Sequence, residues 1–415
     1  MRIAVIGAGV SGLTAALALK ERGFRNVVVF EKEERVGGKT FSLAYKGTQY
    51  DLGSMMFSRP CDISRLADQY RVPYTPFETK DFYYSKGEWM NPIAYAKQST
   101  SWLDLALSLV GLHQIIHANH LTEPGFRDVS PELFQDFEGY LHAHHLEAAA
   151  HAFEPAVAGL GYGYFSTTPA MYGLKIMASM MDVSLMRSLL TNGGLVCFFP
   201  GGWMELWEKV AADLHVRLGA QITAIDRSSG QDVRITVNGK DEVFDRVIVT
   251  TPLNHAQAYL DLSEEESRLF PKIRSHRMIS TLIEGSVPLH TGFLVDQAVP
   301  QRLGHVLGIE AYAPETKCAV LFQTAAPETS IEEICDTLTA DLREFGCDVK
   351  QIVHQKDWEY FYHVSAQDLR EGFYPSLEKL QGLQCTYYAG SIMNYETVGH
   401  CQQYAKYLVE TYFSK

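Results

Sequence analysis

The 415-residue sequence contains no C-x-x-C pair, no internal repeat, no low-complexity tract and no second G-x-G-x-x-G motif. Its seven cysteines are scattered and odd in number, which indicates free thiols in a reducing compartment rather than a disulfide framework. Positive charge is also scarce, because 36 lysines and arginines stand against 49 aspartates and glutamates, a net charge of −13. A surface this acidic disfavours nucleic acid as the main partner.

The rest of the composition is typical of a large globular protein. Apolar residues make up 46% and charged residues 20% of the sequence, so the chain can bury the core of two or three domains. The first predicted strand begins at Arg2, which leaves no room for a signal peptide and predicts a cytoplasmic location. Residues 102–116 form the most apolar stretch, which is too short to cross a bilayer. Two interpretations of it stay open: a core or cap helix, or a helix in transient contact with a membrane surface where an apolar substrate enters.

The first forty residues contain a dinucleotide-binding pattern. Residues 3–6 predict a buried parallel strand, and Gly7, Gly9 and Gly12 follow it at G-x-G-x-x-G spacing before a predicted helix. Such glycines allow a tight turn, close approach of a pyrophosphate and close helix packing. A second predicted strand ends in Glu31, whose carboxylate is suited to accept from ribose hydroxyls and to repel a 2′-phosphate. The pattern therefore favours FAD or NAD over NADP.

Residues 35–42 decide between these two cofactors. Their sequence, Arg-Val-Gly-Gly-Lys-Thr-Phe-Ser, resembles the R-x-G-G-(R/K)-x-x-(S/T) element of the flavin amine oxidase superfamily, which wraps the pyrophosphate and ribityl chain of FAD. Residues 200–222, 247–252 and 388–398 resemble three further segments of that superfamily. The resemblance implies FAD as the cofactor. We expect it to be bound non-covalently, because no Ser-Gly-Gly-Cys element occurs near the C-terminus.

The resemblance implies FAD contacts along most of the chain. In the superfamily the backbone at the position of Ile222 contacts adenine, and the helix that begins near Thr397 points at the flavin O2 atom. Ser391 departs from the acid that is usual at its position. The residues implied as FAD contacts are Gly7, Gly9, Ser11, Gly12, Glu31, Lys32, Gly38, Lys39, Thr40, Gly53, Ser54, Met55, Ile222, Gly390, Ser391, Thr397 and Val398.

The predicted fold class is α/β, with a Rossmann-like FAD-binding domain of the amine oxidase type, an inserted mixed α+β substrate domain and a helical cap. The FAD-binding domain is predicted to be discontinuous and to comprise residues 1–57, 191–259 and 376–415. Residues 58–190 are predicted to form a mainly helical cap at the substrate entrance, and residues 260–375 the substrate-binding domain. The single G-x-G-x-x-G motif argues against a reductase that binds a second dinucleotide.

Within the superfamily, the sequence resembles the bacterial polyenoic fatty acid isomerases nearly end to end. Residues 161–165, 302–306, 358–365 and 388–393 carry this more specific resemblance. It implies that a double bond of a polyunsaturated fatty acid or related polyene moves when flavin N5 takes a hydride from one carbon and returns it to another. Such a reaction requires a long apolar chain held close to N5 and protected from water.

The same resemblance implies a set of substrate-binding residues. Lys80 falls where those isomerases have an arginine that meets the fatty carboxylate, and Leu185 where they have an aromatic gate. Lysine keeps the charge of arginine but loses its two-pronged geometry. The further expected substrate contacts are Met56, Tyr162, Tyr164, Phe165 and Tyr395, with His363, Tyr360 and Phe361 as the candidate catalytic residues that position the substrate.

Two other functions stay open at this stage. One is an FAD-dependent oxidase or desaturase that acts on an amine or a polyene, which turnover with an electron acceptor would reveal. The other is a non-catalytic lipid-binding protein, which colourless purified protein would indicate.

His113, His117 and His120 share one helical face, but no metal-binding motif accompanies them and we expect no metal site. The sequence predicts no oligomeric state.

Overall fold

The computed structural model describes residues 1–76, 82–180, 196–286, 291–311 and 314–414. The α-helices of this described chain are α1 Val10–Glu21, α2 Asp62–Tyr70, α3 Pro92–Ala96, α4 Trp102–Ala118, α5 Phe137–Ala143, α6 Glu147–Gly159, α7 Ala170–Met180, α8 Trp203–Ala212, α9 Glu264–Leu269, α10 Ile331–Glu344, α11 Ala366–Arg370, α12 Phe373–Glu378 and α13 Val398–Tyr412. The strands are β1 Arg2–Ile6, β2 Asn26–Phe30, β3 Ser42–Tyr45, β4 Thr48–Asp51, β5 Phe57–Ser58, β6 Thr75–Pro76, β7 Tyr83–Ser85, β8 Glu88–Met90, β9 Val196–Phe198, β10 Val216–Arg217, β11 Ile222–Asp226, β12 Val233–Val237, β13 Lys240–Phe244, β14 Arg246–Val249, β15 Arg274–Ser286, β16 Gly292–Leu294, β17 Val306–Glu310, β18 Cys318–Ala325, β19 Asp348–His363 and β20 Thr386–Tyr388.

Five strands form a parallel sheet in the order β10-β2-β1-β14-β20. The central strand β1 pairs with β2 on one side and with β14 on the other, so distant parts of the chain share one sheet. Ile3, Ala4 and Val5 have no exposed surface, as expected for a parallel strand covered on both faces. The carboxyl ends of these strands meet at one edge, which is where open α/β sheets bind ligands. The predicted α/β class is confirmed.

A second large sheet contains seven strands in the order β19-β15-β18-β17-β16-β7-β8. Its two long strands, β15 and β19, run antiparallel, with Met278 paired to Trp358 and His276 paired to Tyr360. The hairpin β7–β8 joins this sheet through β16, although its residues lie in the segment that we predicted to be mainly helical. Lys86 and Gly87 both have positive φ angles, of 51° and 88°, as a two-residue hairpin turn requires.

Helices α4 to α7 form a layer that packs on the rest of the fold. Helix α4 confirms the predicted helix at residues 102–116 and buries Leu105, Ser108, Leu112 and Ile116 on one face. It packs against α6 and α7. The strands of the parallel sheet come from all three segments predicted for the FAD-binding domain. The boundaries between the domains stay a prediction.

Candidate cofactor and substrate site

A cavity of about 720 Å³ lies at the carboxyl edge of the parallel sheet. Its walls combine the loop after β1, the end of β2, the loops after β14 and β20, and side chains of the seven-stranded sheet. Because these walls come from segments that are distant in sequence, the cavity exists only when both sheets are assembled. Its volume lies within the usual range for a ligand-binding pocket.

The glycine-rich loop forms the floor of this cavity. Gly7 has a φ of 100° and its N–H donates to the Phe30 carbonyl at 2.8 Å, which fixes the turn between β1 and α1. A Cβ on Gly12 would lie only 1.9 Å from the Gly7 carbonyl oxygen, so this position requires glycine for packing. Gly9 caps α1 without a side-chain acceptor, and Ser11 in the first turn lines the cavity. The first-turn N–H groups are therefore suited to an anionic group such as a diphosphate.

Glu31 places a carboxylate at the edge of the cavity. Its Oε2 accepts from the Ala8 N–H at 2.8 Å, and its Oε1 accepts from the Glu33 N–H at 3.0 Å. These two bonds hold the side chain beside the glycine loop. Carboxylate oxygens have further lone pairs, so the group can also accept from ribose hydroxyls.

Lys39 brings a positive charge to the cavity wall. Its Nζ lies 2.7 Å from Glu396 Oε1 and 4.5 Å from the centre of the Tyr362 ring. Gly53 fits closely beside the same loop, since a Cβ there would lie 1.6 Å from the Lys39 carbonyl oxygen. Gly38 approaches Gly9 from this side, and both line the cavity. The loop is thus held close to the helix that begins after Gly9.

The wall near the C-terminus is the start of helix α13. The Thr397 hydroxyl accepts from the His400 N–H at 3.1 Å and lies 2.7 Å from His400 Nδ1. Burial, with a smaller contribution from nearby Lys175, lowers the pKa of His400 to about 3, so its imidazole is neutral. Thr397, Val398 and His400 all line the cavity, which places the positive end of the α13 dipole against the ligand space.

The predicted cofactor residues fall into two groups. Gly12 lies under the glycine loop, Lys32 is exposed, and Ile222 is half-buried at the start of β11, and none of the three lines the cavity. Their roles stay predictions. The predicted residues that do line it are Gly7, Gly9, Ser11, Glu31, Gly38, Lys39, Thr40, Gly53, Ser54, Met55, Gly390, Ser391, Thr397 and Val398.

The substrate side of the cavity contains a hydrogen-bonded tyrosine pair. The Tyr360 hydroxyl donates to the Tyr162 hydroxyl at 3.1 Å, and the two rings stack with centres 5.6 Å apart. Burial raises the pKa of Tyr360 well above its ordinary value, so the phenol keeps its proton. Met56 also lines the cavity, and Gly161 leaves space for Met278, whose sulfur would lie 2.7 Å from a Cβ at that position.

Several predicted substrate residues lie outside the cavity wall. Phe361 and Tyr395 pack behind Tyr162, with ring centres 5.8 Å and 5.1 Å away. Tyr164 and Phe165 are buried in the protein core. Lys80 and Leu185 lie outside the described residues.

His363 is also placed behind the wall rather than in it. Its Nδ1 lies 2.8 Å from the Phe361 carbonyl oxygen, and its ring stacks on Phe361 with centres 5.0 Å apart. Burial, with a smaller contribution from His276, lowers the pKa of His363 to about 4. The imidazole is therefore neutral at physiological pH. A role for it in positioning the substrate stays a prediction.

Sequence reasoning missed several residues that line the cavity. Met278 and Ile273 belong to the region of β15, Ile176 and Ser179 to α7, and Leu160 to the turn after α6. None belongs to a motif. Except for Ser179, they are apolar, and their only sequence signal is apolar periodicity, which most core residues share.

The family of the chain follows from a comparison of its sequence with known families. The sequence profile described as flavin containing amine oxidoreductase matches residues 10–399. The chain belongs to this family. The match confirms the resemblance that the glycine motifs and the C-terminal segment indicated.

Individual proteins similar to this chain include both isomerases and an amine oxidase. The crystal structure of a CLA-producing fatty acid isomerase from P. acnes is 27% identical, with a TM-score of 0.90 over 100% of this chain and 99% of the other. A polyenoic fatty acid isomerase from Ptilota filicina is 23% identical over 71% of this chain and 66% of its own length. Cyclohexylamine oxidase from Brevibacterium oxydans, at 16% identity, shares the fold with a TM-score of 0.70 over 99% of this chain and 98% of the other.

As a member of the flavin containing amine oxidoreductase family, the protein uses FAD, and the cavity fits this cofactor. The uncapped first turn of α1 suits the diphosphate, and the Glu31 carboxylate suits a ribose. The positive end of α13 suits the electron-rich edge of a flavin ring. The close approach of Gly9 and Gly38 leaves backbone rather than side chains facing the ligand space.

Asp51 is a buried carboxyl group that links β4 to helix α8. Its Oδ1 accepts from the Ser42 hydroxyl at 2.5 Å and from the Trp203 N–H at 3.0 Å. Its Oδ2 is buried and has no hydrogen-bond partner within the described chain. Burial raises the pKa of Asp51 to about 7, although both hydrogen bonds oppose this shift.

This carboxyl group predicts a pH dependence of stability. The folded protein retains the proton up to about pH 7, whereas an unfolded aspartate releases it near pH 4. The stability that this proton gives to the folded protein is therefore fully present below about pH 4 and is lost as the pH rises to about 7. Relative to the Asp51→Asn variant, the wild type should lose about 1.4 kcal/mol of unfolding free energy for each pH unit between these two pH values. Urea unfolding of both proteins at about pH 5 and about pH 8 measures the difference in unfolding free energy between wild type and variant. The same difference at both pH values would contradict the prediction.

Proposed function

We propose that the protein is an FAD-dependent isomerase that moves a double bond in a polyunsaturated fatty acid or a related polyene. The observation that carries this proposal is the similarity to the CLA-producing fatty acid isomerase, which extends over the whole of both chains at a TM-score of 0.90. The neighbouring amine oxidase shares the fold at a lower TM-score of 0.70.

The carboxylates of the cavity support a neutral reacting group over an amine. Among the described residues that line it, three are carboxylates, and each already has a partner. Glu31 accepts from two backbone N–H groups, Asp62 lies 2.7 Å from Lys406, and Glu396 lies 2.7 Å from Lys39. Apart from Glu31, which is suited to the cofactor's ribose, an amine cation would thus find only carboxylates that already pair with a lysine in the described part of the wall, whereas a hydrocarbon chain needs none.

The chemical step needs little from the side chains. FAD, when bound, supplies a hydride acceptor and donor. The protein must hold the polyene in one place and exclude water, which would trap a cationic intermediate. Met56, Met278 and the stacked rings of Tyr162 and Tyr360 offer soft, neutral surfaces for this purpose. Aromatic faces also stabilise a positive charge on the substrate.

An FAD-dependent oxidase or desaturase is the second candidate. It is favoured by the fold that the protein shares with cyclohexylamine oxidase and by the Tyr162–Tyr360 pair, whose faces suit an amine cation as well as a polyene. The two candidates differ in whether turnover consumes an electron acceptor.

An anaerobic assay separates the two. Protein with oxidised FAD is incubated with linoleic acid without oxygen, and conjugated diene and flavin absorbance are followed together. We expect diene to accumulate over many turnovers while the flavin stays oxidised. Flavin that bleaches and recovers only when oxygen is admitted would instead establish an oxidase or desaturase.

Lys80 is proposed to bind the fatty carboxylate, on the basis of its place in the sequence resemblance. Replacing it with glutamine removes the charge while keeping a similar side-chain length. We expect KM for linoleic acid to rise about tenfold, because one modest ion pair is lost. The methyl ester serves as the matched control substrate, because it carries no charge. Its KM should be unchanged, and an equal effect of Lys80→Gln on acid and ester would remove this role.

A further inference from the structure

Helix α4 presents apolar side chains on both of its faces. One face packs into the protein through Leu105, Leu112 and Ile116. The opposite face exposes Leu103 and Leu107, which are 67% and 60% accessible to solvent. The large apolar side chains of α4 that are more than half exposed are Trp102, Leu103, Leu107 and Val110, and Asp104 is exposed among them. Contiguous apolar surface of this kind marks an interaction site, unlike apolar residues scattered singly.

The ends of this stripe have the character of a membrane interface. At its beginning, the Lys97 ammonium lies 4.6 Å from the centre of the Trp102 ring. Beyond its other end, the exposed side chains of α4 include His113 and His117. Tryptophan beside a cation, followed by aliphatic residues and then polar ones, is the arrangement of helices that lie in the headgroup region of a bilayer. None of the described helices is long and apolar enough to cross a membrane.

The shape of the stripe argues against a second copy of the chain as its partner. The stripe consists of four side chains along about 13 Å of helix. A stable protein interface takes about 20–30 residues on each side. A lipid surface accepts a small convex apolar ridge, since the acyl chains adapt to its shape.

The position of α4 connects the stripe to the cavity. Helix α4 packs against α7, and Ile176 and Ser179 of α7 line the cavity. Leu121 and Thr122, which follow α4 in the chain, line it as well. A substrate with a long apolar chain partitions into lipid. Docking through this helical layer would therefore bring the cavity close to the lipid that holds the substrate. This step alone rests on the proposed function.

We infer that the outer face of α4, residues Trp102, Leu103, Leu107 and Val110, docks the protein reversibly on a lipid surface. Insertion of apolar side chains drives this binding, since the net charge of −13 opposes attraction to anionic lipid. We therefore expect binding to vesicles of phosphatidylcholine that does not increase when phosphatidylglycerol is added. A requirement for anionic lipid would overturn the inference.

Vesicle flotation with the full-length, FAD-loaded protein tests this without measuring activity. The double variant Leu103→Asp/Leu107→Asp should reduce the bound fraction at least tenfold. Leu303→Asp/Leu383→Asp is the matched control, because these leucines are 48% and 57% exposed but lie elsewhere, and it should bind as the wild type does. Flavin absorbance and circular dichroism confirm that both variants are folded.

Besides a requirement for anionic lipid, three further results would overturn the inference. They are absence of wild-type binding, equal binding by Leu103→Asp/Leu107→Asp, and a wild-type dimer in sedimentation velocity that this variant abolishes. The last result would assign the stripe to a second copy of the chain. All three are independent of the reaction that the enzyme catalyses, so the docking face and the isomerase function can fail separately.

Discussion

Replacing Gly9 with valine should yield a folded protein that purifies without FAD. Gly9 has an extended backbone, with φ of −76° and ψ of −176°, which valine adopts without strain. A Cβ at this position would lie 3.9 Å from the Gly38 Cα, an ordinary van der Waals contact, so the protein has room for the first atom of the new side chain. Because Gly9 lines the cavity, the methyl groups would occupy the space that the FAD diphosphate needs. We expect FAD affinity to fall at least 100-fold, measured by fluorescence titration of the flavin-free protein.

The control for this prediction adds the same methyl groups outside the cavity. Ala224 lies on the exposed side of β11, where valine suits a strand, so Ala224→Val should bind FAD normally. Flavin-free wild type and Gly9→Val should unfold at the same urea concentration, which separates ligand exclusion from misfolding. A yellow Gly9→Val protein with unchanged FAD affinity would contradict the placement of the diphosphate.

Replacing Arg227 with methionine should lower the free energy of unfolding by about 3–5 kcal/mol, because it leaves buried charge without its partner. Arg227 has no exposed surface, and its Nε lies 2.7 Å from Asp261 Oδ1. Its other two nitrogens donate to both oxygens of Glu266 at 2.8 Å and 2.7 Å, and the Tyr388 hydroxyl also donates to Glu266. Tyr388 is the last residue of β20 in the parallel sheet, and Glu266 lies in helix α9. The network therefore joins that sheet to the helix.

Arg268 offers a matched comparison for this prediction. It forms an ion pair with Glu265, one residue from Glu266, but both partners are exposed to solvent. Exposed pairs contribute little, so Arg268→Met should leave stability unchanged within error. Urea unfolding of both variants, followed by tryptophan fluorescence, measures the difference. Equal stability of Arg227→Met and Arg268→Met would show that the network does not hold the two elements together.

The cofactor half of the site could be predicted because its residues act through local geometry. The spacing of Gly7, Gly9 and Gly12 specifies a turn between a strand and a helix, and Glu31 ends the strand that lies beside it. These features depend on neighbours in sequence, so a motif captures them. The same holds for Thr397, whose hydroxyl caps the helix that follows it.

The substrate half could not be predicted to the same extent, since it is built by contacts between distant segments. Met278 and Tyr360 line the cavity because the two long strands β15 and β19 pair in one particular register. No local sequence motif specifies that register. Histidine is a residue type that often takes part in catalysis, which favoured His363 as a candidate. However, side chains alternate in direction along β19, so His363 packs on Phe361 and not in the cavity wall. The Lys86–Gly87 hairpin did carry a local signal, which the surrounding helical pattern obscured.

The proposed isomerisation requires that a hydride leaves the substrate and returns to the same molecule. An equal mixture of linoleic acid and its fully deuterated form, converted anaerobically in ordinary water, tests this directly. Mass spectrometry of the conjugated product should show only fully deuterated and fully unlabelled molecules, with the flavin oxidised at the end. Product that has lost one deuterium to solvent, or a product two hydrogens poorer than the substrate with reduced flavin, would contradict the isomerase account.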